Sequence, residues 1–433
     1  MARKMKDSGI EWIGEIPEGW EVHRVKTHFS IISGSGFKPE LQGQSTGDFP
    51  VCKASDISSS GHYLHTSANY ITSDIVKSQH FSIIPKGSIL FAKIGEAMRK
   101  NNRSLCSHDC CVDNNCQGLV PKNISSEFSY YLFTCIDMTW FDNAGTIPCI
   151  NNQKLYDCRI PFPSYDEQLL ISNHLNFQCA KINEMLFHIR SSIEEYKKLK
   201  QTVITQAVTK GVRGEREMKD SGNPWFGQIP TDWKLSRVGL HFSIILGKML
   251  CNAPLNDTYT LEPYYCAADV HFDGVADGER KKMWFSPIEK DLYRVSVGDL
   301  LVVEGGAGAG GSAIVENQDS YTYIQNSIMI VRSKGNADNR YLRYLLEFLV
   351  KQGYIDVVCN KATIPHFTKD KLSCVPFCLC PTGEQKEIAD YLDAKCAEID
   401  KLIAKKEQLV KELENYKKSL IFEYVTGKKE LRR

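Results

Sequence analysis

MKDSGIEWIGEIPEGWEVHRVKTHFSIISG, residues 5 to 34, returns later in the chain as MKDSGNPWFGQIPTDWKLSRVGLHFSIILG, residues 218 to 247. The two stretches align without a gap at an offset of 213, and 18 of their 30 positions are identical. Unrelated segments match at about one position in fifteen at typical residue frequencies. The chain is therefore an internal duplication, and the sequence predicts one architecture formed twice.

The two halves keep the same order of segments after this opening. KGSILFAKIG at 86–95 corresponds to VGDLLVVEGG at 297–306, and TIPCINNQKL at 146–155 corresponds to TIPHFTKDKL at 363–372. Short apolar runs of strand character alternate with clusters of Gly, Ser, Asn and Pro, which is typical of a compact sheet-rich domain. Each half is therefore predicted to contain one such domain.

A long segment with heptad spacing closes each half of the chain. Proline-rich junctions precede it, and each supplies a Ser or Thr with Glu or Gln three residues on, which is a helix-start signature. Apolar residues then recur at alternating intervals of four and three, as in a coiled-coil seam. The seam residues are Leu175, Ile182, Leu186, Ile189, Ile193, Leu392, Ile399, Ile403, Val410 and Leu413.

A helix with a single apolar stripe cannot bury that stripe alone. The simplest partner for each helix is the helix of the other repeat, which predicts an antiparallel coiled coil within one chain. About 44 residues at ~1.5 Å per residue would make a rod of ~65 Å. The predicted fold class is thus α/β of the α+β type, with two sheet-rich domains joined by two long antiparallel coiled-coil helices and a pseudo-two-fold internal duplication. The alternative is a helical hairpin packed within one larger domain.

Composition places the chain among globular proteins without naming a partner. Hydrophobic residues make up 42% and charged residues 24% of the 433 positions, and the net charge is +1. No apolar run approaches the ~20 residues that cross a bilayer, and the N-terminus lacks a secretory apolar segment, so we expect a cytoplasmic protein. A charge near zero neither supports nor excludes nucleic acid, because a DNA reader needs only a local basic surface.

This order of domains and helices resembles the specificity subunit of Type I restriction-modification systems. The likeness covers essentially the whole chain and rests on several paired features. They are the W-I/F-G-x-I-P-x-x-W openings at Trp12–Trp20 and Trp225–Trp233, Arg24 and Arg237, Gly87 and Gly298, Glu167-Gln168 and Glu384-Gln385 at the helix starts, and Val208-Thr209 and Val425-Thr426 near the helix ends.

The resemblance implies a division of labour along the chain. Residues 1–163 and 214–380 would be target recognition domains, each reading half of a bipartite, asymmetric double-stranded DNA site. Residues 164–213 and 381–433 would be spacer helices that set the distance between half-sites and dock two methyltransferase subunits, with restriction subunits joining the complex. The chain itself would be non-catalytic and hold no cofactor. S-adenosylmethionine, ATP and Mg would belong to the partner subunits.

Candidate DNA contacts lie on polar loops beside predicted strands. Arg and Lys contact phosphates and guanine edges, and Asn reads adenine. Taken singly, each such residue fits a solvated surface charge better than a DNA contact, but as clusters on loops that flank strands they predict phosphate positioning. The candidates are Lys93, Arg99, Lys100, Asn101, Asn102 and Arg103 in the first half and Arg280, Lys281 and Lys282 in the second.

A glycine-rich loop raises an enzymatic alternative. Gly306, Gly308 and Gly311 satisfy G-x-G-x-x-G after an apparent strand. A cofactor loop of that kind also needs a helix that begins at the glycines, and it would make the chain a methyltransferase or nuclease. The residues that follow read as strand and turn, so a hairpin tip is the prediction. A coiled-coil scaffold that binds no DNA is the third possibility.

Cysteines in the first half suggest a metal only superficially. Cys106, His108, Cys110, Cys111 and Cys116 are close in sequence but lack two C-x-x-C pairs. We predict ordinary thiols in a surface loop and no metal site.

Overall fold

The computed structural model describes residues 3–143, 145–317, 321–359 and 365–431. The chain divides into two compact units, residues 1–189 with 408–433, and residues 190–407. Each unit contains one sheet-rich domain and parts of both long helices, Tyr165–Lys210 and Thr382–Val425. We call these the first and second long helix. Thr363 and Ile364, which open the second TIP segment, lie outside the described residues.

The first domain is built from short strands and short helices. Its strands are Met5–Ile10, Gly14–Pro17, Glu21–Arg24, Phe29–Ser33, Phe49–Cys52, Tyr63–Leu64, Tyr70–Ile71, Ile89–Ala92, Arg103–Cys106, Cys111–Val112, Cys116–Pro121 and Arg159–Phe162. Its helical segments are Val25–His28, Pro39–Leu41, Ala54–Ser60, Ser73–Ser78, Glu96–Arg99, Ser126–Thr134, Met138–Phe141 and Asn152–Asp157.

The second domain repeats this plan with its own variations. Its strands are Met218–Asp220, Gln228–Pro230, Lys234–Arg237, Phe242–Leu246, Thr260–Tyr265, Val270–His271, Gly274–Val275, Lys282–Phe285, Leu300–Val303, Ser312–Ile314, Tyr323–Ile324, Ile328–Ser333 and Pro376–Leu379. Its helical segments are Val238–His241, Ala267–Asp269, Pro287–Tyr293, Asn339–Lys351, Tyr354–Val358 and Lys369–Cys374.

The largest sheet of each domain has the same central pairing. In the first domain, Cys116–Pro121 pairs antiparallel with Phe29–Ser33 on one side and with Ile89–Ala92 on the other. In the second, Ile328–Ser333 pairs antiparallel in the same way with the strands at 242–246 and 300–303. The repeated HFSII run thus forms a strand beside the central strand in both domains.

A buried tryptophan and a two-stranded ladder bring each long helix to its domain. Trp20 and Trp233 are 1% and 0% exposed. The strand after Trp20 pairs with the strand that precedes the first long helix, Arg159–Phe162. The strand after Trp233 pairs with Pro376–Leu379 before the second long helix. Each helix therefore begins beside the tryptophan of its own repeat.

The Glu of each helix-start dipeptide contacts the domain and does not close a capping box. Glu167 accepts a hydrogen bond from Trp20 Nε1 at 2.8 Å and pairs with Arg3 at 2.8 Å. Glu384 pairs with Arg216 in the same way. Half of the predicted helix-start pattern is present in the first repeat, where Ser164 Oγ accepts the N–H of Glu167 at 3.4 Å, while the Glu167 carboxylate anchors the domain.

The Gln of each dipeptide holds two backbone segments together. Buried Gln168 donates to a carbonyl five residues earlier at 3.0 Å and accepts the N–H of Ser125 at 2.8 Å. Gln385 makes the same two bonds, at 2.8 Å to a carbonyl five residues earlier and at 3.0 Å from the N–H of Asp338. Ser125 and Asp338 are the N-caps of equivalent helices, so the offset of 213 extends into this part of the domains.

The long helices pair antiparallel within the first unit. The rings of His174 and Tyr424 lie 4.6 Å apart, and Lys417 Nζ donates to Asn183 Oδ1 at 2.7 Å. As residue numbers rise along the first long helix, the numbers of the contacted residues fall along the second.

The same direction of pairing holds within the second unit. Lys406 lies over the ring of Tyr196 at 5.6 Å, and Lys200 pairs with Asp400 at 2.6 Å. The predicted antiparallel arrangement is confirmed. The seam residues are placed as follows: Leu175, Ile182, Leu186, Ile193, Leu392 and Ile399 are buried, and Ile189, Ile403, Val410 and Leu413 are half-buried.

Candidate nucleic-acid interface

The loop of the first domain that carries the basic candidates connects two antiparallel strands, Ile89–Ala92 and Arg103–Cys106. Lys93 is half-buried, and its backbone bonds to Asn115 and Ile150. Arg99 is exposed and pairs with Glu96 at 2.7 Å. Lys100 is exposed, and within the described residues no carboxylate lies within salt-bridge distance of it.

Of the remaining three candidates of this loop, Asn101 and Arg103 point inward, whereas Asn102 bonds to an exposed serine. Arg103 is 5% exposed and donates to Asn101 Oδ1 at 2.5 Å and to the Ile136 carbonyl at 3.0 Å. Burial lowers the pKa of Arg103 to about 10. Asn101 also accepts the N–H of Met138, and Asn102 donates to Ser58 Oγ at 3.1 Å. Contrary to the expectation for a phosphate contact, the Arg103 guanidinium is in the interior, where it joins the loop to the domain.

A cleft lies next to Lys100, and sequence reasoning missed it. Its volume is about 410 Å³, and exposed hydroxyl groups form part of its wall. Hydroxyl and ammonium donors together are the usual contacts of a DNA phosphate. The signal in the sequence was the run SDISSS, residues 55–60, which forms part of the helix Ala54–Ser60. The lining residues are Ala54, Ser55, Ser58, Ser59, Ala97 and Lys100.

The second domain separates its three basic candidates. Arg280 pairs with Asp269 at 3.1 Å and lies over the ring of Tyr265 at 4.7 Å, so its charge is used within the domain. Lys281 and Lys282 are exposed at the start of the strand Lys282–Phe285. Two of the three therefore remain available to a phosphate.

The glycine-rich loop is the tip of a β-hairpin. It joins the antiparallel strands Leu300–Val303 and Ser312–Ile314, and no helix begins at its glycines. Gly306 and Gly310 have φ of +86° and +82°, a backbone region that glycine adopts readily. A side chain at Gly310 would also collide with Ile355 and Val350, 2.9 Å from its first carbon. The loop therefore lacks the helix N-terminus on which a dinucleotide site depends.

The clustered cysteines lie in a small hydrophobic core and not in the surface loop that we predicted. Cys106, Cys110 and Cys116 pack there with Cys52, and Cys111 lies in a second small core beside it in sequence. Burial raises the pKa of Cys111 to about 11, which keeps it a thiol at neutral pH. Across the described residues, no group of three or more His, Cys, Asp or Glu side chains is arranged to hold a metal ion.

A sheet-rich domain followed by a long pairing helix, present twice, is the architecture expected of a specificity subunit. The chain belongs to the family described as the Type I restriction modification DNA specificity domain, whose model matches residues 17–195 and 231–414. The two matches show that it carries this domain twice.

Two relatives are specificity subunits, and a solved structure shares the fold. The putative type I restriction enzyme MjaX specificity subunit of Methanocaldococcus jannaschii is 27% identical over 442 aligned positions, covering 96% of this chain and 95% of that protein. The MjaIX specificity subunit of the same organism is 25% identical but matches over only 57% of this chain and 56% of its own length. A structure from work on complex assembly and conformational transition of the type I R-M system superimposes with a TM-score of 0.68 at 18% identity, covering 95% of this chain and 98% of that one. This likeness supports the same fold.

In the part of the chain that is described, no helix combines the length and the apolar character needed to span a bilayer.

Proposed function

We propose that the chain is the sequence-specific DNA-binding subunit of a Type I restriction-modification complex. Each domain would read one half of a bipartite, asymmetric site. The observation that carries this proposal is the duplication itself, since a domain with its own helix occurs twice and both copies match a DNA specificity domain. The loops after the equivalent strands differ, with FAKIGEAMRK in one and VVEGGAGAGG in the other, as two different half-sites require.

The paired helices would set the spacer between the half-sites and dock two methyltransferase subunits, with restriction subunits joining for cleavage. The chain would perform no chemistry of its own and would act in the cytoplasm. S-adenosylmethionine, ATP and Mg would be held by the partners. The glycine-rich hairpin supports this division, because its geometry gives no cofactor-binding helix start.

Phosphate contacts in the first domain would come from Lys100 and the hydroxyl groups of the neighbouring cleft. Lys93 and Arg99 flank that position along the loop and would assist. In the second domain, Lys281 and Lys282 would take the same role. Contacts of this kind position the protein on the duplex, whereas contacts to base edges give the sequence preference.

Methylome sequencing of cells that express the chain with its methyltransferase and restriction subunits tests the proposal. We expect methylated adenines in one split motif, with two unlike halves at a fixed spacing. A gel-shift with a random duplex pool then tests DNA binding directly. A chain that assembles with partners but shifts no duplex would instead be a protein scaffold, and the proposal would be wrong.

A further inference from the structure

The first tryptophan of each opening stretch, Trp12 or Trp225, lies beside the end of a long helix. In the first unit, Trp12 packs against Trp140 and Phe422, with ring centroids 5.8 and 6.3 Å away. These rings come from the domain and from the second long helix, respectively. The first unit thus surrounds its tryptophan with its own aromatic side chains.

The second unit has replaced both of those rings. The helix Asn339–Lys351 is four residues longer than its equivalent Ser126–Thr134, so the offset beyond it is 217, as in the long helices. At this offset Val357 stands in the place of Trp140, and Thr205 stands in the place of Phe422. Trp225 is half-buried and keeps one aromatic neighbour, Tyr354, at 5.3 Å. The substitution of small residues for large ones predicts open space at this position.

That space is an open cleft of about 490 Å³, within the size range of ligand pockets. Trp225, Phe226 and Phe348 provide aromatic surface, and neutral polar groups stand beside them. The residues that define it are Thr205 and Lys210 of the first long helix, Trp225 and Phe226 of the opening stretch, and Phe348 and Gln352 of the helix Asn339–Lys351.

The only charge in the lining of this cleft is positive. Lys210 is exposed, and within the described residues no carboxylate lies within salt-bridge distance of its ammonium group. Gly211 lies against Trp233 as Gly427 lies against Trp20, so Lys210 is a residue added between the Val-Thr pair and the glycine. The second unit has therefore lost two rings and gained a cation, and an aromatic group beside a carboxylate is complementary to both changes.

We propose that this cleft docks a segment of a methyltransferase subunit in which an aromatic side chain adjoins an acidic residue. The aromatic ring packs against Trp225, where the first unit uses its own Phe422 and Trp140 against Trp12. The acidic residue pairs with Lys210. The choice of partner rests on the proposed function, whereas the chemistry of the segment rests on the cleft. Because the first unit fills the equivalent position with two of its own rings, the two docking contacts of the complex differ.

The chemistry is tested by titrating the full chain with N-acetyl-Asp-Trp-amide and observing saturation transfer by NMR. We expect the peptide to bind, and we expect N-acetyl-Asn-Trp-amide to bind severalfold more weakly. Binding should be lost in T205F, which places a phenyl ring where the first unit has Phe422. K210E should weaken it as well and provides a second variant if T205F does not fold. Absence of binding, binding that persists in both variants, or preferential binding of adenosine would each overturn the inference.

The partner is tested by measuring assembly of the full chain with purified methyltransferase subunits. T205F and K210E should each weaken binding of one subunit at least tenfold, and K234E, an exposed change in the same unit, should not. Binding to duplex DNA should be unchanged in all three. Unaltered assembly in T205F and K210E would overturn the inference and leave the proposed function standing. A wild-type chain that binds no methyltransferase subunit would overturn both.

Discussion

Lys100 and Arg103 are three residues apart, yet their charges meet different surroundings. Lys100 is exposed beside a wall of hydroxyl groups, where an incoming phosphate would find donors on two sides. Arg103 begins a strand that is buried along its whole length, and its guanidinium donates to the Ile136 carbonyl. Truncation of Lys100 should therefore weaken DNA binding, whereas truncation of Arg103 should lower the stability of the domain.

Lys100→Ala is expected to weaken binding to all duplex sequences alike and to flatten the salt dependence. Loss of one phosphate contact reduces the slope of log K against log salt by about 0.9. Fluorescence anisotropy with a labelled duplex between low and physiological salt measures this slope. K26A is the matched control, because Lys26 already pairs with Asp157 at 3.2 Å.

Arg103→Ala should leave the slope unchanged and lower the free energy of unfolding by about 1–3 kcal/mol, since the Ile136 carbonyl and Asn101 Oδ1 each lose the guanidinium as a donor. An Arg103 variant that flattens the slope without loss of stability would show that Arg103 contacts DNA. A Lys100 variant with the wild-type slope would show that the hydroxyl-lined cleft does not contact DNA.

Gln168 is a second residue whose role depends on its surroundings. Its side chain is fully buried and satisfies one backbone carbonyl and one backbone N–H. Gln168→Ala leaves both groups without partners, at a cost of about 1–3 kcal/mol for each buried group. We expect a loss of about 2–6 kcal/mol in urea unfolding monitored by circular dichroism. Q206A, an exposed change on the same helix, should stay within ~0.5 kcal/mol of wild type.

Gln168 and Arg103 show which contacts the sequence alone does not predict. The dipeptide Glu-Gln predicts a helix start, but its two side chains bind Trp20 and the backbone N–H of Ser125, more than 40 positions earlier in the chain. A short strand that is buried on both faces has no alternating pattern, so the sequence could not show that Arg103 points inward. Both features depend on tertiary contacts that a local pattern does not contain.

Among the elements, the long helices follow most directly from the sequence. Heptad spacing over many turns predicted both helices, and the lysines at equivalent seam positions pair across the two helices. Lys417 reaches Asn183, and Lys200 reaches Asp400. The glycine loop was harder to interpret because the same glycine spacing suits a hairpin or a helix start. The strand character of the residues after the loop favours the hairpin, and the two antiparallel strands confirm it.

Ile182→Asp tests the seam at the scale of one helix. Ile182 is 3% exposed, so the change buries a carboxylate among apolar side chains. We expect a loss of about 3 kcal/mol or more, with loss of helical signal and of methyltransferase-subunit binding. The measurement is a thermal melt followed by an assembly assay. Met185→Asp, on the same helix but 45% exposed, should change the melt far less. Equal effects of the two variants would show that Ile182 does not lie in a buried seam.

At the scale of the whole molecule, the duplication predicts more than any single motif does. The repeated opening stretch is enough to predict two domains and two long helices. The differences between the two copies then show where their surfaces are unlike. One repeat has a hydroxyl-lined cleft beside Lys100, and the other has an aromatic cleft beside Lys210. Differences of this kind appear only when equivalent positions are compared within their structural surroundings.

Modular specificity is the strongest expectation from this organisation. Residues 35–145 follow the repeated opening stretch, contain the loop of the first domain that is proposed to contact DNA, and lie within one compact unit. Exchanging them for the same region of a relative should change one half of the methylated motif. The other half and the spacer should stay the same, because the second domain and both long helices are untouched. Methylome sequencing of cells that express the hybrid with its partner subunits reads out all three features at once.

The methylated motif of the hybrid tests separately whether the two domains read DNA independently and whether the helices set the spacer. A hybrid that changes both half-sites would mean that the two domains do not read DNA independently. A hybrid that changes only the spacer would place spacing in the first domain and not in the helices. The control is the reciprocal exchange in the second domain, which should alter the opposite half-site. A methylated motif that is the same in both hybrids would contradict the assignment of sequence recognition to these domains, because the exchanged segments contain the loops proposed to contact DNA.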